Sequence, residues 1–173
     1  MISKKLLKAL GDQLNAEFYS AYLYLAMSAE MDNAGFKGFA NWLYVQAQEE
    51  RAHAAHMFQY IVDRGAVPSF GPIEGIKGDF STPVKVFDRV LKHEQNVTKS
   101  LNSIATIAQA ENDHATYQFV MWYVNEQVEE EDNADEYLTR LKLSEGNISA
   151  IYNLDTILAA RVFVDPFAGA AQA

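Results

Sequence analysis

The chain has 173 residues, 49% of them hydrophobic and 21% charged, with no cysteine and a net charge of −9. That length supports a single domain, residues 1–173, with a substantial core, and the composition excludes a disordered chain. The lack of cysteine rules out disulfides, thiolate metal sites and cysteine nucleophiles; the negative charge disfavours nucleic acid and anionic membranes as partners and suits cations. Met1-Ile2-Ser3-Lys4-Lys5 has none of the apolar core of a secretory signal, and no run reaches the length of a membrane span, so the expected compartment is the cytoplasm.

From about Ser3 to Asp32, Leu6, Leu7, Leu10, Leu14, Phe18, Ala21, Tyr22 and Leu25 recur at three- and four-residue steps, which predicts a long amphipathic helix that stops at Gly35. A second helix is expected from about Phe36 to Arg64, with Phe39, Leu43, Ala47, Ala54, Met57 and Ile61 on one stripe and Gly65 beyond it. The third opens with Thr82 as N-cap and Pro83 in the first turn, and carries Phe87, Val90, Leu91, Val97, Leu101, Ile104 and Ala108 before Asn112 and Asp113. The fourth runs from about His114 to Lys142 through Val120, Tyr123, Val124, Ala134, Leu138 and Leu141. A shorter fifth helix is expected from about Asn147 to Arg161, ahead of Pro166, with a frayed end over Gly169 to Ala173.

Four helices of similar length joined in pairs by short turns predict an all-α bundle of two antiparallel hairpins over about residues 3–142. The link between the hairpins, Gly65 to Ser81, holds four glycines and two prolines and is far longer than an up-down turn requires. Extended, it reaches roughly 56 Å; a helix of this length spans roughly 43 Å. One long crossover along the bundle is therefore feasible.

Carboxylates interrupt the apolar stripes. Glu17 falls between Leu14 and Ala21, Glu50 between Ala47 and Ala54 with His53 one turn on, and Glu94 between Leu91 and Val97. Gln127 and Glu130 fill the stripe between Tyr123 and Ala134. Any one of these could be a boundary residue that reaches solvent. Four together, without a cation, would be costly or would have to stay protonated. On the expected helix limits all four lie at similar heights, within about one helical turn, in either connection topology. Oxygen donors with one imidazole suit a divalent first-row metal, and Glu50-x-x-His53 puts both side chains on one helical face. Glu111 and His114 share that spacing, but they sit at the turn between the third and fourth helices, about 25 Å from the height of Glu94. They read as surface or pore lining.

These residues resemble the non-haem ferritins of bacteria and archaea over nearly the whole chain, from about Leu6 to Arg161. The resemblance is carried by Asn15-Ala16-Glu17, Tyr19-Ser20-Ala21-Tyr22-Leu23-Tyr24, Gly38-Phe39-Ala40-Asn41-Trp42, Gln48-Glu49-Glu50-Arg51-Ala52-His53-Ala54, His93-Glu94 and Asn125-Glu126-Gln127-Val128-Glu129-Glu130-Glu131. It implies a ferritin-like four-helix bundle with one long crossover and a short fifth C-terminal helix. It implies ferroxidase activity, in which Fe(II) is oxidised by dioxygen at a di-iron centre. Glu17, Glu50 and His53 would hold the first iron and Glu50, Glu94 and Glu130 the second, with Gln127 beside the pair and Tyr24 as a nearby redox-active tyrosine. Glu49, Glu126 and Glu129, with Glu130, match a third iron position of prokaryotic members, although the run Glu126 to Asp132 also has the composition of an exposed helix face. The resemblance further implies a homo-oligomeric shell of twenty-four subunits, the fifth helix toward the four-fold axis, storing ferric mineral.

Three departures qualify it. Bacterioferritins place a methionine before the histidine of the second helix to hold haem; Ala52 stands there, and Gln127-x-x-Glu130 replaces the second Glu-x-x-His, so no haem is expected. The acidic pore through which iron enters animal ferritins is matched by Tyr117 and Val120, leaving Glu111, Asp113 and His114 as substitutes if that turn faces the three-fold axis. The tail Val162-Phe163-Val164-Asp165-Pro166 carries no readable signal.

Overall fold

Capping groups fix where the helices begin. Ser3 accepts the Leu6 N–H at 3.1 Å and opens α1 (Lys4–Asn33). Thr82 accepts the Lys85 N–H at 3.3 Å ahead of Pro83 and opens α3 (Pro83–Ala110). Asp113 accepts the Thr116 N–H at 3.0 Å at the head of α4 (His114–Leu143), and Asn147 accepts from Ser149 and Ala150 at the head of α5 (Ile148–Leu158). The second helix, α2 (Lys37–Asp63), has no side-chain cap of its own. Gly35 and Gly65 end the first two helices with φ of 87° and 71°, and Asn112, at 56°, takes that left-handed role between α3 and α4. The structure, a computed structural model, describes residues 2–168; the fraying expected over Gly169 to Ala173 lies outside the described residues.

Contacts between the helix ends decide the topology. Arg64, just past α2, forms a bidentate pair with Asp113 at the α3–α4 turn, with bonds of 2.8 and 3.1 Å. The C-terminal end of α2 therefore meets the far end of α3, so the chain between them travels the length of the bundle. On the way it is pinned to α1, where Asn15 donates to the Ser69 carbonyl at 3.0 Å and accepts the Gly71 N–H at 2.9 Å. The long crossover is thus present, and no helix among the described residues is long and apolar enough to cross a membrane.

The core is split in two. One apolar cluster gathers Leu23, Met27, Phe39, Phe87, Leu138 and Leu154 at the α5 end. The other gathers Leu6, Leu10, Met57, Ile61, Leu101 and Val120 at the opposite end. The polar belt between them carries the inward carboxylates. Tyr22 and Leu25, expected on the buried stripe of α1, are 54% and 40% exposed, while Leu23, Tyr24 and Met27 fill the core in their place.

The fifth helix ends at Leu158, earlier than the expected Arg161. The Asn41 side-chain amide accounts for the early stop, donating to the carbonyls of Leu158, Ala159 and Arg161 at 3.3, 3.3 and 2.9 Å and turning the chain off the helix axis. Asp155 of α5 accepts the Phe39 N–H at 2.9 Å and so caps α2 from a distance. This close approach requires Gly38, because a Cβ there would lie 1.6 Å from the Asp155 carbonyl oxygen.

Candidate metal centre

Glu17 from α1 and Glu50 and His53 from α2 converge in the belt, each buried, with one ligand atom apiece within 4.8 Å of the others. The i, i+3 spacing of Glu50 and His53 sets Nδ1 of the imidazole 3.8 Å from Glu50 Oε2. Glu94 of α3 and Glu130 of α4 are also buried and close the belt from the opposite side. Glu94 accepts hydrogen bonds from the Tyr24 hydroxyl and, at 3.0 Å, from Gln127 Nε2. Glu130 accepts from Gln46 Nε2 at 2.7 Å. Glu94 and Glu130 are not part of the tight three-residue group, but their charges act directly on Glu50.

Burial dominates the protonation of this belt. Desolvation, with the Glu50 charge next, holds the Glu17 carboxyl well above the usual carboxylate range. Glu50 is raised by burial and then by Glu94. Glu94 is raised by burial against the opposing hydrogen bonds from Tyr24 and Gln127. Glu130 is pushed up to about 8 by burial and by Glu94. Without a cation each of these carboxyls keeps its proton to higher pH than a free carboxyl would, and a divalent ion would supply the missing charge. The donor set, oxygen with one imidazole, fits iron(II).

A second group lies toward the surface between α2 and α4. Glu49, Glu126, Glu129 and Glu130 line a pocket of about 140 Å³, with His53 and Asn133. Glu49 is not free there: Arg161 Nη2 sits 2.5 Å from its Oε2. Glu49 and Glu126 are both raised by burial, Arg161 opposing the rise at Glu49. Around the turn between α3 and α4, Glu111 and His114 are exposed and form no such cluster among the described residues. Asp113 is committed to Arg64, which removes it as a free carboxylate for a pore. Val120, one of the animal pore positions, is in the core.

Several partners in the belt were not picked out from the sequence. Gln13 and Gln46 stand four residues before Glu17 and Glu50; Gln13 Nε2 donates to Glu17 Oε1 at 2.8 Å, and Gln46 reaches across to Glu130. The repeated Gln-x-x-x-Glu spacing was the available signal. His93 is buried, bonded to Ser20 Oγ at 2.8 Å, and lowered to about 4 by burial and Arg89, so it is a neutral imidazole behind Tyr24.

Comparison with known proteins agrees with this architecture. The ferritin-like domain pattern matches residues 7–144. A bacterial non-heme ferritin of Staphylococcus aureus is 39% identical over 163 residues, covering 94% of this chain and 98% of that protein; one from Staphylococcus haemolyticus matches equally well. Among solved structures, the open pore ferritin of the hyperthermophilic archaeon Archaeoglobus fulgidus superposes with a TM-score of 0.91 at 42% identity, covering 94% of this chain and all of that one. An engineered closed form of it gives 0.92 at 43% identity, covering 95% of this chain. Fold, inward carboxylates and relatives agree: the chain belongs to the ferritin family, as a prokaryotic non-haem member.

Proposed function

We propose that the chain is a ferroxidase and iron-storage subunit that works in the cytoplasm. It takes two ferrous ions into the belt, passes their electrons to dioxygen, and stores the ferric product inside a twenty-four-subunit shell. The observation that carries this reading is the convergence of buried Glu17, Glu50 and His53 in a belt whose four carboxyls are all raised. One ferrous ion takes Glu17, Glu50 and His53. The second takes Glu50, Glu94 and Glu130, so Glu50 serves both. Each iron gives one electron, and two held side by side deliver the pair that carries dioxygen past superoxide in one encounter. The protein's part is geometry and charge: Gln13, Gln46 and Gln127 orient the carboxylates, and the two apolar clusters keep bulk water from the belt. Tyr24 donates to Glu94, so a one-electron oxidation of its phenol would have a proton acceptor in place. Glu49, Glu126 and Glu129, with Glu130, form a third, outlying iron position.

Anaerobic titration with ferrous iron, then oxygen, then light scattering reads binding, oxidation and storage in turn. The expected course is two tight equivalents, fast oxidation of both, and oxidised iron retained in a large particle. Glu94→Ala should keep one tight equivalent and lose the fast phase, whereas Glu129→Ala should keep the fast phase and change later turnover. Fast oxidation without retained iron would instead indicate a di-iron oxidase of the same fold.

A further inference from the structure

Arg161 to Phe167 leave α5 and run as a strap along α2, on the side it shares with α4. The Arg161 guanidinium pairs with Glu49 and lies 4.8 Å above the Trp42 ring. Phe163 lines a surface pocket together with Phe18 and Arg51, while Val164 and Pro166 border the acidic pocket. Phe167 stacks on His56 with ring centroids 3.7 Å apart and lies 4.6 Å from Trp122. The outlying carboxylates therefore face a cation that the chain itself provides, paired with Glu49 and reaching Glu130, which the outlying position shares with the central belt.

We infer that Arg161 is the specificity-determining residue of the outlying position. Its guanidinium occupies Glu49 as a resident competitor, and a divalent cation fills the pocket only by displacing it and lifting the strap. This rests on the reading of Glu49, Glu126 and Glu129 as a metal position. Three observations carry it. Glu49 can give its Oε2 lone pairs to Arg161 or to a metal, and the 2.5 Å pair spends them on Arg161. Arg161 Nη1 is buried with no partner, so the guanidinium is held there for Glu49 and Trp42 rather than by a full set of bonds. Beyond the Arg161 pair, the strap is held by the Asn41 bond to the Arg161 carbonyl, the packing of Phe167 on His56 and Trp122, and the edge positions of Phe163, Val164 and Pro166, with no helix or strand ladder to fix it, which suits local opening. The central pair then fills first, because no Lys or Arg charge acts on Glu17, Glu50 or Glu94 and Arg161 reaches only Glu130 among its carboxylates, and a monovalent ion gains too little at Glu49 to evict a guanidinium.

The chain has two tryptophans, and both lie beneath the strap, Trp42 under Arg161 and Trp122 under Phe167. Because Trp122 is also 5.5 Å from His53, Trp42 is read alone in a Trp122→Phe background. The full-length, metal-free protein is titrated with Zn²⁺ by calorimetry and by this fluorescence. The expected result is two tight equivalents that leave Trp42 emission unchanged, then a weaker third that shifts it. Arg161→Gln should bind the third equivalent about tenfold more tightly, the size of one partly buried ion pair no longer broken. Phe167→Ser, which changes no charge, should tighten it by less. A third equivalent of wild-type affinity in Arg161→Gln would overturn the competitor role and leave the outlying site standing. No third equivalent in any variant would overturn the inference and the outlying site together.

Discussion

Glu50 sits where the belt is most crowded, with Glu17 and His53 beside it and the charges of Glu94 and Glu130 acting across the core. Glu50→Ala should abolish fast ferrous oxidation in stopped-flow absorbance, since it removes the carboxylate assigned to both irons. Its metal-free thermal midpoint should hold or rise, because the cost of burying that carboxyl among three others is gone. A supporting residue should behave differently. Gln46→Ala leaves every assigned ligand in place and should weaken metal binding by about 10–100-fold, measured by Zn²⁺ calorimetry. A pH dependence follows from the same belt. Each raised carboxyl binds its proton more tightly in the folded than in the unfolded chain, so stability falls as pH rises from the ordinary carboxylate range through the raised values. With Glu130 near 8, the metal-free midpoint should drop between about pH 5 and about pH 8. Zn²⁺ should restore more of it at the upper end; a midpoint flat over that interval would contradict the burial argument. The charged members of the belt were legible in the sequence because a carboxylate inside an apolar stripe is conspicuous. Gln13 and Gln46 were not, since a neutral amide on a helix commonly faces water and only its partner gives it meaning.

Among the elements, the four long helices were legible from periodicity and stops: Gly35, Gly65 and Thr82 fall where the structure turns. The crossover was legible as a length, and its path along α1 depends on the Asn15 bonds, which no local pattern encodes. The strap was illegible for the same reason, because its residues have no periodicity and their partners lie far off in the chain, Glu49 and His56 of α2 and Trp122 of α4 among them. The exposed Tyr22 and Leu25 show the limit of stripe reading, since apolar spacing does not say whether a face meets the subunit's own core or something else. At this scale Gly38 is the residue to change. Gly38→Ala puts a methyl into the Asp155 carbonyl, so α5 must shift and α2 loses its distant cap. We expect a loss of about 1–3 kcal/mol in denaturant unfolding, with the four-helix circular dichroism otherwise retained. Unchanged stability would mean that α5 docks only loosely.

For the whole molecule, the unpaired apolar surface is the telling quantity. Tyr22, Leu25, Tyr44, Phe58, Phe70 and Ile73 are exposed on a single chain carrying a net charge of −9, and a shell would give them neighbouring subunits to pack against. Sedimentation at neutral pH should give one large, hollow species, and a profile of monomer or dimer alone would remove the shell. Ile148, Tyr152 and Ile157 place further exposed apolar side chains on α5, the helix expected at the four-fold axis. That helix also carries the acceptor for the Phe39 amide, so the first turn of α2 is completed by a group that neighbouring subunits would hold in place. The backbone proton of Phe39 thereby becomes an internal gauge of association. Its exchange with deuterium should slow by mass action as the protein is concentrated, while amides in the middle of α2 keep a constant rate.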